Sequence, residues 1–237
     1  MRASIIIPAF NEEATIAQAI QAALAQTHRD LEVIVIDNAS TDRTAEVARS
    51  FPGVTVLQEE HKGTMWACER GRLEAAGAVI VRMDADCLPD PDWLARGLKH
   101  FEDKQVVVVS GPYDYYDHPG RFRNLALYIQ KRGFSGIHKL FQALKLGGIT
   151  MGGNTFIRAS ALADADGFNT DITFYGDDTD VPKRLSRYGK CLYDPSLVIK
   201  TSARRFAKEG ILFLQAKYTF HFLKVIFSRG KKAKSAK

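Results

Sequence analysis

Residues 79–86, Val-Ile-Val-Arg-Met-Asp-Ala-Asp, are the stretch that decides the fold of this chain. The apolar run Val79–Met83 predicts a buried strand, and Asp84 and Asp86 follow at its carboxyl end. Ligands of open α/β sheets bind just beyond the carboxyl ends of the strands. Two carboxylates at that place predict a hard-oxygen site for a divalent ion that also takes phosphate oxygens. The ordinary alternative is an acidic turn, because Asp is common in turns.

Strand and helix patterns alternate around this stretch as far as residue 110. The predicted strands are Ile5–Pro8, Leu31–Asp37, Val54–Leu57, Val79–Asp84 and Val106–Ser110, and the predicted helices are Thr15–Ala25, Thr41–Arg49, Thr64–Ala76 and Pro91–Phe101. This alternation predicts an α/β fold with a mostly parallel central sheet that is covered by helices on both faces.

The sequence after residue 110 is less regular. Its predicted helices are Arg121–Leu146, Asp178–Tyr188 and Ile211–Phe227, and its predicted strands are Thr155–Arg158, Cys191–Asp194 and Leu197–Lys200. We find no linker and no internal repeat, so a single domain with a C-terminal appendage is expected.

Composition excludes several classes of protein. Three widely spaced cysteines, Cys68, Cys87 and Cys191, predict neither a disulfide framework nor a zinc site. The sequence lacks a signal-peptide core and any run of eighteen uncharged apolar residues, so a cytoplasmic protein is expected.

The net charge of +6 is unevenly distributed. From Lys200 onward there are eleven Lys and Arg residues and one acid, so the preceding residues carry a net charge of −4.

In the predicted helix Ile211–Phe227 a narrow polar stripe runs along an otherwise apolar surface. This pattern favours a helix lying in a membrane interface, with the basic tail 229–237 on anionic headgroups at the inner face of the cell membrane. The alternative is a helix packed on the domain or on a second subunit, and the acidic body disfavours nucleic acid as a partner.

Further polar side chains follow the other predicted strands. Asp37 ends the second strand, and Asn11, Glu12 and Glu13 follow the first. Parallel strands bring these groups and Asp84 to one edge of the sheet. Carboxylates there suit ribose hydroxyls and a metal ion that holds phosphates, which predicts a nucleoside diphosphate ligand. For Asp37 a simple turn residue is an equal alternative.

Common nucleotide-site motifs are absent. There is no G-x-x-x-x-G-K-[ST], no G-x-G-x-x-G after the first strand and no G-x-S-x-G. These absences argue against P-loop NTPases, dinucleotide oxidoreductases and α/β-hydrolases.

A second acidic cluster, Asp177-Asp178-Thr179-Asp180, opens a predicted helix. Acidic residues at a helix N-terminus interact favourably with the helix dipole, and this structural role is the ordinary explanation. Since capping needs one such residue and three are present, one carboxylate is also a candidate general base for a hydroxyl nucleophile.

Together these segments resemble the family 2 glycosyltransferases, which are inverting enzymes of the GT-A fold, from about Ser4 to Phe206. The segments that carry the resemblance are Ile5–Glu13, Val35–Asp42, Met83–Asp86, Asp177-Asp178 and Thr201–Phe206. The resemblance implies a glycosyltransferase domain over residues 1–206, with a nucleotide-binding half, 1–110, and an acceptor half, 111–206. Residues 207–237 would then be an amphipathic helix with a basic tail.

The resemblance also implies roles for individual residues. Asp86 is the implied direct metal ligand, with Asp84, for Mn²⁺ or Mg²⁺. Asp178 is the implied catalytic base, with Asp177 secondary. The residues expected to contact the nucleotide of a UDP- or GDP-sugar are Pro8, Ala9, Phe10, Asn11, Glu12, Asp37, Lys62, Gly63, Asp84, Arg204 and Arg205. Acceptor contacts are expected from Tyr113, Gly153 and Asn154.

The chain departs from the family pattern at several positions. Ala67-Cys68-Glu69 stands where the family commonly has Ala-Arg-Asn, so an arginine is missing there, and Lys62 or Arg70 is the expected substitute. Asp177 replaces the usual Glu, and the absence of Q-x-x-R-W argues against a processive polysaccharide synthase.

The resemblance implies a single displacement in which a hydroxyl deprotonated by Asp178 attacks the anomeric carbon. A lipid-linked acceptor in the synthesis of cell-envelope glycan or glycolipid would fit a membrane-bound tail. The alternatives are a sugar-1-phosphate nucleotidyltransferase and a non-catalytic subunit that binds sugar nucleotides. The first would usually show a Gly-rich loop after strand one, where this chain is acidic.

Overall fold

The computed structural model describes residues 1–118, 120–144, 146–172 and 176–210, together with residues 217 and 220. The strands are β1 Ala3–Ala9, β2 Leu31–Asp37, β3 Val54–Gln58, β4 Val79–Met83, β5 Val106–Ser110, β6 Tyr113–Tyr115, β7 Asn154–Arg158, β8 Lys190–Tyr193 and β9 Ile199–Thr201. The helices are α1 Ile16–Leu24, α2 Thr44–Arg49, α3 Thr64–Glu74, α4 Trp93–Lys99, α5 Gly120–Ile129, α6 Ser135–Ala143, α7 Ala159–Asp164, α8 Asp177–Leu185 and α9 Arg204–Glu209. Of the predicted helix Ile211–Phe227 and the tail 229–237, all but residues 217 and 220 lies outside the described residues.

A seven-stranded sheet in the order β3-β2-β1-β4-β7-β5-β8 forms the centre of the molecule. Strands β1, β2, β3 and β4 are parallel, and β7 is antiparallel to both β4 and β5. Helices α1, α2 and α4 cover one face with side chains such as Ile20 and Trp93, and α3, α7 and α8 cover the other with side chains such as Met65 and Leu162. Because both faces are covered, the central strands are continuous apolar runs, as the sequence predicts.

Strand β7 joins the two predicted halves into one sheet. It comes from the second half of the chain but pairs between β4 and β5 of the first half, with Met83 opposite Asn154 and Ser110 opposite Thr155. This pairing places the loop before β7 beside the carboxyl end of β4, where the predicted metal site lies.

Two of the differences between the predicted and the observed helices have a clear physical cause. Helix α2 begins at Thr44 rather than Thr41, because the Thr41 N–H donates to Asn11 Oδ1 at 2.8 Å and residues 41–43 form a turn. The predicted helix Arg121–Leu146 is two helices joined by a π turn, Gln130–Phe134. There the buried Gln130 side chain bonds the backbone N–H and carbonyl of Tyr113 at 2.8 and 3.1 Å. Within the described ranges, no helix has both the length and the apolar character that crossing a membrane requires.

Candidate active site

A cavity of about 910 Å³ lies at the carboxyl ends of β1 and β4. Its walls come from these strand ends, from the start of α8, from α9 and from the helices α5 and α6. The residues predicted from sequence that line it are Pro8, Ala9, Phe10, Glu12, Asp84, Asp86, Tyr113, Asp177, Asp178, Arg204 and Arg205. The fold therefore brings the predicted metal pair and the predicted catalytic pair to one cavity.

The metal pair has the donor chemistry of a hard-cation site. Ligand atoms of Asp84, Asp86 and Cys87 lie within 4.8 Å of one another. Burial raises the pKa of the Cys87 thiol well above its usual range, and its Sγ lies 3.7 Å from the Gly153 carbonyl, so the thiol is a poor ligand for such an ion. Burial and the neighbouring Asp84 raise the pKa of Asp86 to about 6. A divalent cation relieves this repulsion, so the two carboxylates fit Mg²⁺ or Mn²⁺.

Arg204 and Thr201 hold Asp86 from the C-terminal side of the domain. The Thr201 hydroxyl donates to Asp86 Oδ1 at 3.0 Å, and Arg204 Nη2 lies 3.2 Å from Asp86 Oδ2. Arg204 also forms an ion pair with Glu12. The first turn of α9 is thereby fixed over the acidic rim, where its arginine side chains can meet a diphosphate.

The candidate base, Asp178, lies in the first turn of α8. Helix α8 follows Gly176, whose φ of +106° is a left-handed conformation that glycine adopts without strain. Burial and the adjacent Asp177 raise the pKa of Asp178 well above its usual range, and Arg82 opposes the shift. Among the described residues, Asp178 Oδ1 is a buried acceptor without a hydrogen-bond partner. Buried acceptors are rarely left without a hydrogen bond. The hydroxyl of a bound substrate would supply that hydrogen bond, and the carboxylate would then accept its proton.

Arg82 is a site residue that the sequence analysis missed. It lies on β4, is 7% exposed, and pairs with Asp177 through Nη1, while its Nη2 is 3.8 Å from Asp84 Oδ1. Cys68, at the position where the family has an arginine, is close enough for Arg82 to lower the pKa of its thiol against the larger effect of burial. Arg82 thus supplies an arginine beside Cys68. In the sequence, the sign that Arg82 belongs to the site is a single charged residue within an otherwise apolar predicted strand.

The two predicted substitutes for the missing arginine lie elsewhere. Arg70 is 3.7 Å from Glu74 on the outer side of α3, and Lys62 is exposed, with its Nζ 5.8 Å from the centre of the Phe10 ring. Arg70 does not line the cavity, so the expectation that it replaces the missing arginine is wrong, while Lys62 stays a predicted nucleotide contact.

We predict that Arg82 stabilises the fold by neutralising Asp177. Arg82→Leu leaves a half-buried carboxylate uncompensated and should lower the free energy of unfolding by about 3 kcal/mol. Arg82→Leu/Asp177→Asn should recover part of that loss, because the neutral amide needs no cation. Urea unfolding of wild type, both single variants and the double variant measures the coupling. Simple additivity of the two single losses would show that the pair contributes nothing.

The predicted nucleotide end of the site has one unpaired acceptor. Asp37 is 3% exposed, and its Oδ1 has no hydrogen-bond partner among the described residues. The next residue, Asn38, orders the following loop, since its side chain bonds the carbonyls of Glu59 and His61 at 3.0 and 2.7 Å. It also accepts the Gly63 N–H at 2.8 Å. This hydrogen bonding gives Gly63 a structural role in the loop that carries Lys62.

Phe10 and Asn11 lie on the loop after β1. Phe10 is 49% exposed and lines the cavity, with Lys62 Nζ 5.8 Å from the centre of its ring. Asn11 adopts a φ of +54°, and its side chain joins this loop to the loop after β2 by accepting the Thr41 N–H. Asn11 therefore shapes the rim with its own hydrogen bonds.

The predicted acceptor residues separate into two groups. The Tyr113 hydroxyl lines the cavity and accepts the Gly153 N–H at 2.6 Å. Asn154 is fully buried and bonded to Trp93 Nε1 and to the carbonyls of Pro112 and Leu197, which argues against the predicted acceptor contact. A Cβ on Gly153 would lie 2.4 Å from Asp84 Oδ2, so glycine is needed there for the close approach of the backbone to the metal pair.

Comparison with known proteins identifies a family. The family model described as glycosyl transferase family 2 matches residues 4–165. Glycosyltransferase AglE of Haloferax volcanii is 33% identical over 119 residues, which cover 47% of this chain and 39% of that protein. An uncharacterized glycosyltransferase of Nostoc is 32% identical over 128 residues, which cover 49% and 38% of the two chains. The chain thus spans about two fifths of the length of these relatives.

Solved structures of glycosyltransferases share the fold. A mannosyltransferase of Pyrobaculum calidifontis in complex with GDP-Man and Mn²⁺ superposes with a TM-score of 0.75 at 24% identity, covering 98% of this chain and 65% of the other. Glucosyl-3-phosphoglycerate synthase of Mycobacterium tuberculosis, in complex with Mn²⁺, UDP and phosphoglyceric acid, gives a TM-score of 0.61 at 20% identity, covering 98% and 80%. These likenesses confirm the predicted GT-A fold.

Proposed function

The chain belongs to the family 2 glycosyltransferases, and from this premise we propose that it moves a sugar from a nucleotide-sugar donor to an acceptor hydroxyl with inversion at the anomeric carbon. One observation carries the proposal. A buried carboxylate oxygen without a partner, Asp178 Oδ1, and a pair of carboxylates suited to a divalent ion, Asp84 and Asp86, line the same cavity.

The donor would lie along the carboxyl ends of β1, β2 and β4. Asp37, whose Oδ1 has no partner among the described residues, would accept a hydrogen bond from the ribose or base, and the Phe10 ring would offer an apolar face to the base. Arg204 and Arg205 line the cavity and would donate to the diphosphate. Solved relatives hold GDP-Man in one case and UDP in another, which supports a UDP- or GDP-sugar as the donor.

Asp86, with Asp84, would hold Mn²⁺ or Mg²⁺, as the Mn²⁺ in both solved relatives supports. When bound there, the ion supplies positive charge that stabilises the leaving diphosphate. The Arg204 side chain contacts Asp86 and Glu12. When a bound cation neutralises these carboxylates, the guanidinium would be free to donate to the diphosphate.

Proton transfer falls to Asp178. Burial and the adjacent Asp177 raise its pKa and so make the carboxylate a stronger base, while the positive charge of Arg82 opposes the shift and favours the ionised form. The acceptor O–H donates its proton to Oδ1 as the oxygen attacks the anomeric carbon from the face opposite the leaving group. Positioning of the two substrates should supply much of the acceleration.

The acceptor would belong to the synthesis of cell-envelope glycan or glycolipid. The basic C-terminal segment supports attachment to an anionic membrane at the cytoplasmic face, where a lipid-linked acceptor would be found. Metal dependence, inversion and this location are parts of the same proposal.

The proposal is tested by incubating the full chain with UDP-, GDP- and dTDP-sugars in Mn²⁺ or EDTA. Thermal shift reports binding, and NMR of the released sugar or product reports its anomeric configuration. We expect one nucleotide class to stabilise the protein only with the metal and to give an inverted product. Binding without any transfer or hydrolysis would indicate a non-catalytic sugar-nucleotide-binding protein, and release of pyrophosphate from a nucleoside triphosphate would indicate a nucleotidyltransferase.

A further inference from the structure

Residues 120–144, named here the α5–α6 segment, expose an unusual amount of apolar surface. Eleven large apolar side chains are exposed in the described part of the chain, and six of them lie in this segment. These six are Leu125, Tyr128, Ile129, Ile137, Leu140 and Leu144, with exposures of 40 to 64%. Scattered exposed apolar residues are normal in soluble proteins, but a cluster on one element marks an interaction surface.

The six side chains follow helical spacing. Leu125, Tyr128 and Ile129 are at positions i, i+3 and i+4 of α5. Ile137 and Leu140 are at i and i+3 of α6, and Leu144, at i+7, directly follows that helix. Each set therefore lies on one face of its helix. The segment is amphipathic, and its apolar stripe faces outward. A helix packed in a domain core would instead turn this stripe inward.

The charged residues within this stretch of sequence are all of one sign, although Arg123 of α5 pairs with Asp114 of β6. Residues 118–163 contain seven Lys and Arg and no Asp or Glu, although the chain has 27 acidic residues. Arg121, Arg132 and Lys139 are exposed on the segment beside the apolar stripe. Exposed apolar side chains interleaved with cations, without acids, match an anionic lipid interface. Two copies of such a face would repel each other, which disfavours self-association.

The inner side of the same segment forms the apolar half of the catalytic cavity. Phe122, Ala126, Phe134 and Phe141 line it from the α5–α6 segment, and Asp178 lines the same cavity. Leu125, Ile129 and Ile137 belong both to the exposed stripe and to the cavity lining. Apolar side chains that reach the outer surface thus line the same cavity as the candidate base.

We infer that the α5–α6 segment docks on an anionic lipid bilayer and that the apolar half of the cavity receives the hydrocarbon chain of the acceptor. The acceptor would present its hydroxyl to Asp178 while its chain remains in contact with the bilayer. The inference that the cavity receives the hydrocarbon chain of an acceptor rests on the proposed function. The inference that the segment docks on a bilayer does not.

Docking is tested by flotation of the full chain with phosphatidylcholine vesicles, with and without phosphatidylglycerol, at low salt. The variant Tyr128→Gln/Leu140→Gln/Leu144→Gln removes exposed apolar surface that does not line the cavity. Leu73→Gln on α3, 64% exposed, is the matched control. We expect wild type and Leu73→Gln to float with anionic vesicles and the triple variant to bind roughly tenfold less, with an unchanged unfolding midpoint.

The inference fails if wild type ignores anionic vesicles, or if the triple variant floats as well as wild type, since the C-terminal tail alone would then account for binding. It also fails if the triple change abolishes a dimer in size-exclusion chromatography instead, because the surface would then be a contact between copies.

The chain-binding half of the cavity is tested with a dansyl-labelled fatty acid as the probe. Ala126→Trp fills the apolar wall from α5, and Asn124→Trp places the same side chain on the exposed face as a control. We expect Ala126→Trp to weaken probe binding at least fivefold and Asn124→Trp to leave it unchanged. Equal binding of the fatty acid by the two variants would contradict the proposal that a hydrocarbon chain binds in the apolar half of the cavity. Binding of UDP and GDP with Mn²⁺ is measured in parallel, and its absence in wild type would count against the proposed function alone.

Discussion

Asp86→Ala is expected to reduce sugar transfer by roughly 1,000-fold or more, because the leaving diphosphate loses the ligand that holds its cation. The fold should survive, since the pKa of Asp86 is raised to about 6 by burial and by Asp84. Its ionised form is therefore unfavourable in the native site, and Arg204 keeps Glu12 as a partner when Asp86 is removed. Turnover, titration calorimetry of nucleoside diphosphate in Mn²⁺, and urea unfolding together check this expectation.

Asp92→Ala provides the control, because Asp92 is an exposed carboxylate that pairs with Arg96 on α4, away from the cavity. It should keep wild-type turnover and metal-dependent binding. Full activity of the wild-type protein in excess EDTA would contradict the metal role, and full activity of Asp86→Ala would contradict the assignment of the ligand.

The position of the acidic rim could be predicted because it depends on local pattern. Continuous apolar runs predict strands buried on both faces, and Asp37, Asp84 and Asp86 stand at their carboxyl ends. Parallel pairing of β1 with β2 and β4 then brings these ends together without further information.

Arg82 and Asn154 could not be predicted because their roles depend on segments far apart in the chain. Arg82 meets Asp177, which lies 95 residues later, and only the antiparallel insertion of β7 and the start of α8 bring the two together. The resemblance predicts an acceptor contact for Asn154, because the second half of the chain is the acceptor half. Its amide is instead saturated by Trp93, Pro112 and Leu197, which come from three separate segments. Sequence pattern does not reveal such pairings.

The apolar half of the cavity escaped prediction for a related reason. Residues 121–146 show a helical pattern, but periodicity alone does not say which face is inside. The π turn at Gln130, held by the backbone of Tyr113, changes the phase between α5 and α6. As a result, apolar side chains face both the cavity and the outside.

Asp178→Asn is expected to reduce the rate of transfer by about 1,000-fold while leaving donor binding unchanged, because an amide keeps the shape of the side chain but does not accept the proton. The same change should increase stability near neutral pH. Burial and Asp177 raise the pKa of Asp178, so the native state favours the protonated form, and ionisation costs stability as pH rises above the usual carboxyl pKa. A neutral amide removes that cost. Rate lost together with stability gained is the signature of a group kept for chemistry.

Asp180→Asn separates this effect from general damage to α8. Asp180 is buried and accepts from Arg184 Nε at 2.7 Å, so its replacement should lower stability and leave the rate constant of the folded enzyme within a fewfold of wild type. Single-turnover kinetics with saturating donor, combined with urea unfolding at neutral pH, measures both quantities for each variant. If Asp178→Asn turns over normally and Asp177→Asn is inactive, the base is the preceding carboxylate. Arg82 would then be its direct ion-pair partner, and the unpaired oxygen of Asp178 would need another explanation.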